Sequence, residues 1–511
     1  MTGHPLKLIL MATLVGVLVT ACESEDRTKE DLMQSSSKST PLAPPVTRIE
    51  NVVDTHWGVQ VEDPYRWLED QDSQEVLHWF EQQGGFTEQV LNALPIRGQL
   101  LERLIELDQG APYSTYGVRQ LANGDIFFLR RNAGESLAKL YHQPKGAVEA
   151  TLLLDPDALA DDADSHASIE GYMPSWDGQY LVYGVAQGGS EETTYGVIDL
   201  TSGETLSETL TNIETAYNRP QWSLNGQGFY YSRRRELPVD APDTEIYKRT
   251  EVRYHAIGTD PIADVVVAAF GVSDLLPLLE TDFPSVVITP GSSYAVLKVK
   301  HGDNNEISIF SAPVETLLTG AVPWVQIARE SDLVADFAVV ADTIYLITAK
   351  DAPRFKLVKT TLTAPNFNEA REIIPAGDLV VEGIAAAADA IYLSVKQDGV
   401  NKVMRLSGEG DVTTLKTPRD GAAYISSVSP QVPGVLVYES TWIQGGVRYA
   451  YDPFEDSFAD TGMVPKGKFD DLEGYVAEEV LVTSHDGVDV PVSILRRADL
   501  VLDGTNPTIV Y

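Results

Sequence analysis

The chain has 511 residues, enough for one large unit or several ordinary domains, and its 43% hydrophobic content supports an ample core. Its 75 acidic residues against 38 basic give a net charge of −37, which repels nucleic acid and anionic membrane surfaces and sets both aside as electrostatic partners. Such acidity either attracts cationic peptides to a cavity or, more plainly, keeps a solvated surface soluble.

At the N-terminus His4 and Lys7 precede an apolar run from Leu8 to Thr20, too short to span a bilayer and of signal-peptide length. The run closes on "LVTAC", Leu18 to Cys22, which resembles the lipobox of bacterial lipoproteins. In those proteins the signal is cut before the cysteine, whose thiol is then acylated. Cys22 is the single cysteine of the chain, and lipidation accounts for an exported thiol with no disulfide partner. The plainer alternative is an ordinary signal peptide with an incidental cysteine. After a signal at 1–21, residues 22–45, with "QSSSKST" and "PLAPP", read as a flexible tether. These features predict an exported lipoprotein of the bacterial cell envelope, on the periplasmic side or the outer membrane. It would touch the membrane only through its lipid.

From 73 to 107 the apolar spacing is helical. Val76, Leu77 and Phe80 form one stripe, and Leu100, Leu101, Leu104 and Ile105 another, with Pro95 separating the two segments. Beyond about residue 118 this period fades. Short runs rich in Tyr, Val and Ile then recur after small or turn residues: "NGDIFFLRR", "WDGQYLVYG", "NGQGFYYSR", "GSSYAVLKV", "ADTIYLITA", "ADAIYLSVK" and "VPGVLVYES". Their first apolar residues are Ile126, Tyr180, Phe229, Tyr294, Ile344, Ile391 and Val435. A period of about 50 residues is too long for a hairpin and suits one four-stranded blade of a β-propeller. Seven repeats imply seven blades; the seventh repeat is the weakest, which leaves six or eight open. Further on, "EEVLVTSHDGVDVPVSILRR" (478–497) predicts two strands about a "HDG" turn, and "TNPTIVY" (505–511) opens a third.

The run "DTHWGVQVEDPYRWLED" (54–70) resembles the N-terminal signature of the prolyl oligopeptidase family of serine peptidases. The resemblance continues through "FFLRRNAGESLAKLY" (127–141), "LLLDPDAL" (152–159) and "VRYHAIGTD" (252–260), and resumes at "VTSHDGVDVPVSIL" (482–495). It implies a mainly β fold: an N-terminal helical segment at 46–117, a seven-bladed propeller at 118–475, and at 476–511 the first strands of an α/β-hydrolase domain, which would be incomplete. It also implies that Trp57, Pro64, Tyr65, Arg66, Trp67 and Leu68 pack the N-terminal segment onto that hydrolase, a structural role.

The implied chemistry is hydrolysis of short proline-containing peptides by a Ser nucleophile, a His base and an Asp orienter. No G-x-S-x-G elbow occurs in the chain. The nearest decoy, "GGSEE" at 188–192, lacks the closing Gly and falls in a propeller loop. No His pair has metal-ligand spacing, and no cofactor is implied. The chain as written is therefore expected to be inactive alone, with its catalytic domain missing. On the substrate side, Glu191 matches by position an acidic residue that the family holds toward the active site, and Tyr217 an aromatic lining the substrate pocket. An acid can bind a peptide N-terminus, and an aromatic face suits proline-adjacent side chains. The alternative is a solvated loop Glu and a strand Tyr, and "EETTYG" departs from the family's aromatic after the acid. Two other functions stay open: a non-catalytic, lipid-anchored propeller that binds peptide or protein, and an oligopeptidase B-like peptidase preferring basic residues.

Overall fold

The computed structural model describes residues 43–160, 165–238, 241–419 and 421–511. The signal peptide, Cys22 and nearly all of the tether lie outside the described residues. The chain divides into two compact units between Arg103 and Leu104.

The first unit opens with a hairpin, Val53–His56 against Val59–Glu62. Its turn is Trp57-Gly58, with φ of 51° and 84°. Glycine adopts that left-handed backbone freely, whereas Trp57 is strained there and fully exposed. Arg66 bonds Asp63 at 2.6 Å and also Asp54, tying the turn after Pro64 to the first strand of the hairpin. Trp67 donates its indole N–H to the Arg48 carbonyl (3.0 Å) and meets Trp79 edge-on at 6.2 Å. Helix α1 (Gln74–Asn92) starts at Ser73, whose hydroxyl accepts the Glu75 N–H at 3.3 Å. After Pro95, helix α2 covers Arg97–Asp108. Of the apolar stripes only Val76 is buried; Leu77, Phe80, Leu100, Leu101, Leu104 and Ile105 are exposed.

The second unit is a propeller of seven four-stranded antiparallel sheets. Each is made of consecutive strands: blade 1 (residues 113–154), blade 2 (167–205), blade 3 (221–268), blade 4 (282–328), blade 5 (334–374), blade 6 (380–414) and blade 7 (422–460). The seven marker residues of the repeat all stand at the start of the second strand of their blades, from Ile126–Asn132 in the first to Val435–Ser440 in the seventh. These strands read as continuous apolar runs because both faces are covered by neighbouring blades. Leu181 through Ala186, for example, are all buried.

First strands of neighbouring blades adjoin, as Val334–Val340 does Val380–Ala386, and so surround the axis. Those of blades 1, 2, 5, 6 and 7 each carry a β-bulge, which bends the strand where the ring is tightest. The bulge in Tyr113–Gln120 explains why blade 1 starts ahead of residue 118: a strand broken at Tyr116/Arg119 shows no long apolar run.

Every interface between blades has its own hydrophobic cluster. The largest joins blades 3 and 4 around Tyr254, Leu297 and Phe310. The smallest closes the ring between blades 7 and 1, with Val118, Phe128, Tyr141, Leu436 and Met463. Among the described residues no strand is exchanged across this seam. Hydrogen bonds supplement it: Ser427 Oγ donates to the Val118 carbonyl (2.8 Å), and Arg448 donates to Thr115 Oγ1 (2.7 Å) and to the Thr115 carbonyl (3.0 Å).

After blade 7 a hairpin pairs Tyr475–Thr483 with Asp489–Arg497, as the sequence predicts, and Pro491 lies against the Gly399 turn of blade 6. Residues 498–511 form no strand, contrary to expectation. Ile509, Val510 and Tyr511 are exposed, and among the described residues no strand pairs with them.

Candidate functional site on one end of the propeller

In an antiparallel blade the start of the first strand, the end of the second and the start of the third lie at one end. Glu191 stands between the second and third strands of blade 2, Tyr180–Gln187 and Thr193–Asp199. Tyr217 stands in the segment that enters the first strand of blade 3, Gln221–Trp222. Both therefore sit on the same end of the ring. No hydrogen bond or ion pair joins them. Glu191 is exposed and, among the described residues, has no partner. Its neighbour Glu192 is engaged at 2.5 Å by Arg234, whose side chain is nearly buried.

Tyr217 is held far more firmly. The buried Glu214 carboxylate accepts the backbone N–H of Ala216 (2.8 Å) and the amide of Asn218 (2.6 Å), folding the turn that presents the ring. Burial pushes the Glu214 carboxyl above its ordinary pKa. Lys298, on the second strand of blade 4, donates its ammonium to the Tyr217 carbonyl at 2.9 Å, and burial lowers its pKa. The phenol donates to Asp303 Oδ1 at 2.5 Å, in the turn that follows the same strand. That bond, with burial, raises the phenol pKa to about 12. The ring lies 5.2 Å from Phe283, and the Lys300 ammonium stands 5.7 Å from its centre. Blade 3's entry segment is thus pinned to blade 4 with a half-buried aromatic at the junction.

Sequence reasoning singled out Tyr217 but not Glu214, Lys298, Lys300 or Asp303. The available signal was "LKVKHGD": two lysines with period 2 on an otherwise apolar strand place both amines on one face.

The histidines are spread through the fold, several in Asp–His pairs. Asp282, His301 and Ser308 form a bonded chain, 2.8 Å at each step, across three strands of blade 4. It has the order of a catalytic triad, but Ser308 is only 6% exposed, so an acyl group has no approach to it. His255 is likewise fully buried against Asp264 at 2.9 Å. Both constellations brace their sheets. Among the described residues no cluster of His, Cys, Asp and Glu could hold a metal, and no helix is long and apolar enough to cross a membrane.

A family model described as the prolyl oligopeptidase N-terminal beta-propeller domain matches residues 44–453. The prolyl endopeptidase of Elizabethkingia meningoseptica is 26% identical over 483 residues, covering 93% of this chain and 65% of the relative. That of Elizabethkingia miricola is 25% identical, with the same coverage. The chain thus spans 65% of the length of these curated relatives. Among solved structures, one from a study of two prolyl endopeptidases superimposes with a TM-score of 0.74 at 24% identity, covering 90% of this chain and 65% of its own. Prolyl oligopeptidase B of Galerina marginata, bound to a macrocyclization substrate, gives 0.75 at 20% identity, covering 91% and 67%. The match of the family model over most of the chain, on seven blades built in sequence order, establishes that this protein belongs to the prolyl oligopeptidase family and carries its N-terminal β-propeller.

Proposed function

We propose that this chain is the substrate-gating part of an exported serine endopeptidase that hydrolyses short proline-containing peptides. Its Ser, Asp and His groups would lie outside these 511 residues, in keeping with the lack of any G-x-S-x-G elbow. The observation that carries the reading is the pinned Tyr217, an aromatic face set by Glu214, Lys298 and Asp303 before any substrate arrives. Such a face suits the flat apolar ring of proline or its neighbours. Glu191, free and exposed on the same end, would receive a cationic group such as the peptide N-terminus. The ring would admit short, flexible peptides and refuse folded proteins. A lipid on Cys22 would hold the enzyme at the cell envelope.

The test is hydrolysis of a chromogenic Gly-Pro amide by the product of the complete coding frame, beside the same dipeptide placed inside a folded protein. Cleavage of the short substrate alone is expected. Replacing Tyr217 by Ala should raise KM about tenfold, the loss of roughly 1.4 kcal/mol of binding, with kcat little changed. Failure to cleave the short substrate, or equal cleavage of both, would overturn the proposal.

A further inference from the structure

The outer flank between blades 4 and 5 carries a cleft of about 360 Å³ that the peptide reading does not use. Its volume lies in the range of small-molecule sites. Arg329, Lys350, Asp332, Asn366, Asn368 and Phe367 line it. The carboxylate of Asp332, 9% exposed as a residue, is already committed: one oxygen accepts the Lys350 ammonium (2.6 Å) and the other the Arg329 backbone N–H (3.0 Å). Lys350 also stands 5.3 Å over the Phe367 ring, which fixes its direction.

The donors are not committed in the same way. Arg329 uses only its Nε, toward Gln326 Oε1 at 3.2 Å, and among the described residues no carboxylate lies within ion-pair distance of it. The amide nitrogens of Asn366 and Asn368 have no protein acceptor among the described residues; the Asn366 oxygen is held by the Asn368 backbone N–H at 3.1 Å. The cleft therefore combines two cations, one occupied carboxylate and a surplus of N–H groups, in a chain whose net charge is −37. A donor surplus around a forked guanidinium fits an acceptor-rich, planar anion.

We propose that this cleft binds a small organic anion through a carboxylate seated between Arg329 and the two asparagine amides, with Lys350 bordering it. An inorganic phosphate offers the same acceptors in tetrahedral form, so the two sources are compared directly. The experiment is calorimetric titration of the chain with succinate, with inorganic phosphate and with uncharged butanediol, at constant ionic strength. Saturable binding of succinate is expected, weaker or absent binding of phosphate, and none of the diol. Arg329→Gln, an exposed change that removes the charge and the guanidinium fork, should lower succinate affinity about tenfold, and Asn368→Ala should lower it less. Tighter binding of phosphate than succinate would overturn the carboxylate assignment. Absence of saturation, or the same affinity in folded Arg329→Gln protein, would overturn the site.

Discussion

The phenol of Tyr217 meets Asp303 Oδ1 at 2.5 Å, joining the segment that enters blade 3 to the turn after the second strand of blade 4. The bond needs the phenol protonated, and it holds the Tyr217 pKa up at about 12, above the ordinary tyrosine value near 10. The stability it contributes is complete below about pH 10 and is lost as pH rises toward about 12. Burial holds several other tyrosines up as well, among them Tyr172, Tyr195 and Tyr451. The Tyr217 ionisation is therefore read as the ultraviolet difference between the wild type and Tyr217→Phe, and it should move to lower pH in Asp303→Asn. Tyr217→Phe, which keeps the ring, should cost about 1 kcal/mol in denaturant unfolding.

The seam between blades 7 and 1 rests on a guanidinium. Arg448 is buried, donates to Ser426 as well as twice to Thr115, and burial lowers its pKa. Replacing it with Met leaves the Thr115 carbonyl without this donor and removes three bonds, a loss of about 2–4 kcal/mol. Hydrogen exchange should then quicken in 113–120 and 422–427 while blade 4 keeps its protection.

His301 supplies the pH dependence near neutrality. Its bond to Asp282 raises its pKa above the usual histidine value; burial and Lys300 oppose the rise, and Glu330 adds to it. A base bound more tightly in the folded state contributes stability below its unfolded pKa, about 6.5, and loses it as pH climbs through the raised folded value. The unfolding midpoint of the wild type should therefore decline as pH climbs above about 6.5. In Asp282→Asn that decline should flatten. An unchanged slope would remove His301 from the account.

Ala341 adopts φ of 48° in the turn before the second strand of blade 5, a left-handed position that Gly178 and Gly226 fill in blades 2 and 3. Ala341→Gly relieves the clash of Cβ with the backbone, worth about 1 kcal/mol, against a smaller entropy cost. Thermal melting should shift upward by a degree or two; on a domain this large, about 1 kcal/mol moves the midpoint only modestly.

The repeat was legible because each blade's second strand is covered on both faces and must be continuously apolar, from "IFFL" at 126 to "VLVY" at 435. The first strands were not, since bulges at positions such as Ile169/Gly171 break their pattern. Of the candidate site, Tyr217 is singled out by its place five residues before Trp222, where the resemblance implies a pocket aromatic. Its supports were invisible because Lys298 and Asp303 are some 80 positions away in sequence and meet it only through the packing of blade 3 on blade 4. Glu214 is nearer, yet nothing in "NIETAYN" marks its carboxylate as buried.

The most direct test of the central claim is the coding sequence immediately downstream of Tyr511. An open frame is expected there, running on through a G-x-S-x-G elbow, then an Asp and a His, in the order of an α/β-hydrolase. A stop codon directly after Tyr511 in repeated reads would contradict it.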